Sequence, residues 1–125
     1  MGKQIIPMEN PRNLPVSQGI RVGDFLFIAG QGPHDRKTGK LFAKGITEQA
    51  RQTLENLKSV VEAAGLSMDS IVRVGVFLKR SKDFAKMNEV YREYFPSNQP
   101  VRATVVTGLA FDSMLIEIDA IAYAG

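Results

Sequence analysis

Apolar residues recur along this chain at two different periods, and the switches between them mark its elements. Lys3 to Met8 reads as a short first strand, closed by Pro7 and the polar Glu9-Asn10-Pro11-Arg12-Asn13 segment. Ile20 to Val22 and Phe25 to Ala29 are two further extended runs, and Gly23-Asp24 between them suits a tight hairpin turn. Gly30-Gln31-Gly32-Pro33 is expected to break the strand as a backbone turn, leading into a polar surface loop from Asp35 to Lys40.

The period then lengthens. Ala50, Leu54, Leu57, Val61 and Ala64 fall three and four apart, which predicts a helix capped by Thr47 and stopped by Gly65. Lys58 and Glu62 form a candidate ion pair on its wet side. Ile71 to Leu78 returns to alternation, with Val72, Val74, Val76 and Leu78 on one apolar face and Arg73, Gly75, Phe77 and Lys79 on the other. Ser81 opens a second helix that buries Phe84, Met87, Tyr91 and Tyr94 or Phe95. Pro96 and Pro100 frame the loop leading to two last strands, about Ala103 to Thr107 and Leu115 to Ala122.

The order βββ, α, β, α, ββ predicts a single α+β domain over residues 1–125, with two helices covering one face of a sheet of about six strands. Phe77, Leu115 and Ile121 then lie on the uncovered face, beside Glu117 and Asp119. Such a face is unusual on a monomer, so packing against further copies is expected, with sites at the junctions between subunits.

Composition narrows the chemistry. The 125 residues are 44% hydrophobic and 23% charged, the balance of a soluble globular domain with its own core. The net charge of +3 is scattered along the chain, and aromatics make up 8% without basic–aromatic interleaving. Nucleic acid is therefore not the expected partner. With no cysteine, disulfides, thiolate ligands and cysteine nucleophiles are excluded. A cytoplasmic protein without a membrane span is expected.

Several tempting motifs dissolve. His34, the single histidine, is expected to be a surface loop residue, and no set of ligands is spaced for a metal. Thr38-Gly39-Lys40 lacks the upstream glycine and the following Ser or Thr of a phosphate loop. Gly30-Gln31-Gly32 lacks the helix start of a dinucleotide site, and there is no Gly-x-Ser-x-Gly elbow. Asn88 is either a polar residue at the edge of the second helix or a ligand contact.

The strongest chemical signal lies near the end of the chain. Pro100-Val101-Arg102-Ala103 places a guanidinium where a strand begins, and Leu115-Ile116-Glu117-Ile118 sets a carboxylate within an apolar strand. Arginine is a planar, permanently charged fork that holds a carboxylate through two parallel hydrogen bonds. A glutamate among aliphatic residues has a tunable pKa and can steer a water. Together they point to a small-acid site with a water-handling group.

These residues also carry a resemblance. Gly23-Asp24-Phe25-Leu26-Phe27-Ile28-Ala29-Gly30-Gln31, Gln49 to Leu57, Val60 to Gly65, Phe84 to Tyr91 and the stretch from Pro100 to Ile118 resemble the reactive intermediate/imine deaminase family, the Rid or YjgF-type proteins. The resemblance implies a chorismate-mutase-like fold with a mixed sheet, assembled as a homotrimer around a central barrel with clefts between subunits. It implies hydrolysis of reactive enamines and imines, such as 2-aminoacrylate and 2-iminopropanoate, to a 2-keto acid and ammonia, with no metal or organic cofactor. Position by position, it makes Arg102 the carboxylate-binding residue and Glu117 the residue associated with water. Gly30, Gln31 and Asn88 line the cleft, and Ala103 is the small position after the arginine. Thr104 stands where many members have cysteine, and Val16 of Leu14-Pro15-Val16-Ser17-Gln18 replaces a tyrosine that walls the cleft in many members.

The resemblance leaves other readings open. One is a regulatory trimer that binds a small acid without turning it over. Another is a catabolic deaminase of a longer, aminomuconate-like substrate, with Val16 making room. The ribonuclease activity sometimes attached to the family fits poorly with the scattered charge and the lack of stacking aromatics.

Overall fold

The structure is a computed structural model that describes residues 2–42 and 44–125. Its six strands are β1 (Gln4–Ile5), β2 (Gly19–Val22), β3 (Phe25–Gln31), β4 (Ile71–Leu78), β5 (Val101–Val106) and β6 (Ile116–Tyr123). They form one sheet in the order β1-β2-β3-β6-β4-β5. All neighbours run antiparallel except β4 and β5, which are parallel and joined through the second of two helices, α1 (Ile46–Ala63) and α2 (Phe84–Tyr94). Both helices lie on one face, α1 against β3 and β6 and α2 against α1. The α+β layout expected from periodicity is therefore the observed one. No helix among the described residues is long and apolar enough to cross a membrane.

The core lies between the helices and that face. Ala50, Leu54, Leu57, Val60 and Val61 of α1 meet Leu26, Ile28, Val74, Val76, Ile116 and Ile118 of the sheet, all buried. The end of α1 obeys its glycine: Gly65 adopts φ +79°, its N–H donates to Glu62 O, and Leu66 N–H donates to Val61 O. That paired closure satisfies carbonyls the last turn leaves free. The start differs from expectation. Gly45, not Thr47, occupies the N-cap without a side-chain cap, because the helix begins early enough to bury Ile46.

Other expectations are also corrected. β1 is only two residues long, since Ile6 turns inward after Ile5 pairs with Ile20. Gly30 and Gln31 are not a turn but the end of β3, accommodated by a register shift between Ile28 and Gln31 opposite β6. A similar shift between Ile71 and Arg73 pushes Val72 outward, 42% exposed, and buries Ile71 in its stead. Phe84 is 46% exposed, because a 3-10 turn over Ser81–Asp83 sets the phase of α2 so that Met87, Val90 and Tyr91 face in. Leu115 precedes its strand and packs toward the core. Lys58 and Glu62 make no ion pair; the pairs among the described residues are Arg51–Glu93, Arg73–Asp119 and Arg80–Asp83.

The uncovered face carries Phe25 and Phe27 of β3, Glu117, Asp119 and Ile121 of β6, Gly75 and Phe77 of β4, and Val101 and Val105 of β5, as their alternation with less exposed neighbours on the helix side and their register across the sheet require. Phe25, Phe27, Val101 and Val105 are exposed apolar side chains.

Candidate functional site

Arg102 sits on the edge strand β5. It pairs in register with Val74, whose side chain is buried beneath the helices, so Arg102 shares the helix side of the sheet. There its guanidinium carbon lies 4.7 Å from the ring centroid of Tyr91 and 5.7 Å from that of Phe84, both on α2. Such faces attract a cation and hold the plane of the fork without using its donors. The arginine lines an open cleft of about 390 Å³ together with Asn88, Tyr91, Arg92, Gln99 and Pro100. Asn88, Tyr91 and Arg92 are one helical turn apart and present one face of α2. Gln99 closes the loop above them by donating from Nε2 to Phe95 O, 3.1 Å away. Burial pushes the Tyr91 phenol above its ordinary pKa, and the charge of Arg102 partly opposes this.

Glu117 lies on the other side of the sheet. On β6 it alternates with buried Ile116 and Ile118 and faces Phe77 of β4. Its carboxylate folds across Gly30 of β3, where a β-carbon would fall 2.3 Å from Oε2. Burial raises the pKa of Glu117 above the usual carboxylate value, and the like charge of Asp119 raises it further. Asp119 in turn lies 3.6 Å from Arg73 of β4 and occupies space left by Gly75.

One chain thus holds these residues in two separate groups. Arg102 and Asn88 are brought together in the cleft, and Glu117 and Gly30 are brought together on the bare face. The two groups lie on opposite faces of the sheet. Thr104, in register with Val76, follows Arg102 on the helix side, whereas Ala103 pairs with Gly75 on the bare face. Val16 is 51% exposed in the loop before β2 and is not among the residues lining the Arg102 cleft.

Gln31 is committed elsewhere. Its Nε2 donates to Gln18 Oε1 and Ala29 O, and its Oε1 accepts from Arg36. Arg36 also donates to Asn56 O, and Asn56 Nδ2 donates to Gly32 O and His34 O. His34 belongs to this buried network and is not the surface residue expected. It is 7% exposed, its Nε2 lies 3.0 Å from Arg12 Nη1, and burial plus the Arg12 charge lowers its pKa to about 4. No group of three or more metal-ligating side chains is assembled among the described residues.

Two residues escaped the sequence reading. Tyr91 was expected only as core, although its position three after Asn88 places it at the same cleft. Gln49 is 1% exposed in α1 and ties the entry of β6 to that helix. Its Nε2 donates to Lys44 O and Ser113 O, and its Oε1 accepts from Leu115 N–H at 2.8 Å.

The family model described as Endoribonuclease L-PSP matches residues 10–124. A RutC family protein of Pyrococcus horikoshii is 50% identical over 123 residues, 97% of this chain and 98% of that one. The 2-iminobutanoate/2-iminopropanoate deaminase of Salmonella typhimurium is 40% identical, with 98% of each chain covered. The crystal structure of Escherichia coli TdcF with bound serine has a TM-score of 0.85 at 35% identity, covering 94% of this chain and 98% of that one. With its six-stranded sheet, its two helices and this extent of likeness, the chain belongs to the Endoribonuclease L-PSP family, the Rid or YjgF-type proteins.

Proposed function

We propose that this protein hydrolyses 2-imino acids to 2-keto acids and ammonia as a homotrimer, in clefts where the Arg102 half-site of one protomer meets the Glu117 half-site of another. The observation that carries the reading is the Arg102 fork, held against aromatic faces at the rim of an open cleft with no carboxylate paired to it among the described residues. A ligand carboxylate is the natural partner for such a fork. The Salmonella relative named for 2-iminobutanoate and 2-iminopropanoate supports the reaction class.

In this reading Arg102 binds the substrate carboxylate through two hydrogen bonds, and its charge draws electron density from the adjacent C=N carbon. Glu117 takes a proton from water as the water oxygen attacks that carbon. The C=N π pair passes to nitrogen, which is protonated, giving a carbinolamine. Collapse of the carbinolamine expels ammonia, and the carbonyl remains as the 2-keto acid. The raised pKa of Glu117 suits a group that both accepts and returns a proton. Backbone at Gly30 and the Asn88 amide position the substrate.

Ammonia release from freshly generated 2-iminopropanoate and 2-iminobutanoate tests this. Acceleration by the assembled protein, abolished in Arg102→Ala, is expected; an unaffected Arg102→Ala variant would remove the arginine from the site. The serine bound to TdcF favours one second reading, a small-acid-binding regulatory trimer. Binding of keto acids without any acceleration of imine hydrolysis would select it.

A further inference from the structure

The cleft at Arg102 contains a second guanidinium. Arg92 lines it from the last turn of α2, one helical turn beyond Asn88, and no carboxylate lies within ion-pair distance of it among the described residues. The nearby Glu93 is already engaged, through Oε2, with Arg51 at 2.8 Å. Among the described residues no acidic side chain lines the cleft; its remaining accessible polar side chains are the Asn88 and Gln99 amides, the Tyr91 hydroxyl being buried. Two forks and two amides around one opening, without a neutralising carboxylate, match a ligand with two negative charges better than a ligand with one.

We propose that Arg92 determines specificity by holding a second carboxylate, so that the cleft prefers dicarboxylic imino acids derived from acidic amino acids over alanine- or threonine-type imines. This rests on the deaminase reading for its reaction and deepens it. Arg102 keeps the carboxylate next to the C=N carbon, and Arg92 takes the one at the far end of the side chain. The reaction balances as before: 2-iminosuccinate and water give oxaloacetate and ammonia. Arg92 touches only the unreactive end of the substrate, so its contribution falls mainly on KM. A charge-assisted hydrogen bond at a solvent-open rim corresponds to about a tenfold preference.

The test compares kcat/KM for 2-iminosuccinate and 2-iminopropanoate in the wild type, Arg92→Ala and Arg92→Lys. A ratio of about ten in the wild type is expected, falling to about one in Arg92→Ala and partly restored in Arg92→Lys. A wild-type ratio near one, or a preference that survives Arg92→Ala, would overturn the proposal. Calorimetric titration with oxaloacetate and pyruvate separates it from the reaction itself. Tighter binding of oxaloacetate that depends on Arg92, in a protein that turns over no imine, would retain the specificity residue and discard the deaminase. Equal binding of the two keto acids would discard Arg92 whatever the turnover.

Discussion

The carboxylate of Glu117 fills the space that a side chain at position 30 would occupy. An ideal β-carbon on Gly30 would lie 2.3 Å from Glu117 Oε2 and 2.9 Å from Cδ, so any larger residue there has to move the whole carboxyl group. The register shift in β3 puts Gly30 at that place, and the alternation of β6 aims Glu117 at it. Glycine here answers to close approach and not to an unusual backbone angle.

Gly30→Ala is therefore expected to displace the Glu117 carboxylate, the proposed water-handling group, while leaving the fold intact. Activity on 2-iminopropanoate should fall by about 10- to 100-fold, mainly in kcat, as expected for a reacting group misplaced by about an ångström. The melting temperature should change little, because Gly30 is exposed on the bare face. Steady-state ammonia release and a thermal melt of the same preparation check both halves.

The pH dependence follows from the charges around Glu117. Asp119 shares its face on β6, Arg73 approaches from β4, and β3 offers only Gly30. With Glu117 acting as a base, kcat/KM should decline on the acid side through an apparent pKa above 4.5, the ordinary value for glutamate. Asp119→Asn removes a like charge and should move that limb to lower pH. Arg73→Met frees the Asp119 charge and should move it to higher pH. The sign for stability is opposite to that for activity. A raised folded pKa means that the native state keeps a proton the unfolded chain has released, so stability falls as pH rises through that window. Glu117→Gln should flatten this loss in urea titrations while abolishing turnover.

Tyr91 is expected to act through Arg102. Tyr91→Leu removes the ring 4.7 Å from the guanidinium carbon and should raise KM by about three- to tenfold with a smaller effect on kcat, the range of a partly desolvated cation–π contact. Tyr91→Phe keeps the ring and removes a hydroxyl that is buried beside the Arg102 guanidinium but outside good hydrogen-bond geometry. It should retain wild-type KM with equal or greater stability. Equal damage from both substitutions would show that the hydroxyl, not the face, positions the fork.

Much of this arrangement is legible in the sequence, and what is not has identifiable causes. Period-two and period-four patterns locate α1, α2 and the long strands because burial on one face constrains every second or every third and fourth residue. The residue faces of β6 follow directly, and with them Glu117 and Asp119. Ile71 and Val72 defeat that logic, since a register shift exchanges their faces, and a bulge has no hydrophobic signature of its own. His34 looks exposed because its flanking loop is polar. Its burial depends on Arg12 and Asn56, residues distant in sequence. Arg102 and Glu117 are individually visible, but their opposite faces emerge only from the parallel pairing of β4 with β5 and the antiparallel pairing of β4 with β6.

Gln49 shows how a buried polar side chain can position a distant site. It is buried in α1, and its three hydrogen bonds reach Lys44 before the helix and Ser113 and Leu115 before β6. Two of these hold the chain just ahead of Glu117, so the register of β6 at the bare face depends on an amide on the helix side. Gln49→Leu preserves the apolar volume but leaves the Leu115 N–H and two carbonyls without partners, which should cost about 2–3 kcal/mol in urea unfolding. Gln49→Glu retains the acceptor for Leu115 N–H but sets a carboxylate against the Lys44 and Ser113 carbonyls, and should be at least as damaging. If β6 entry is held as described, amide exchange at Leu115 and Ile116 should accelerate in both variants more than exchange at Leu54 or Leu57. Uniform acceleration across α1 and β6 would instead mean that Gln49 supports the whole core and has no particular hold on the strand that carries Glu117.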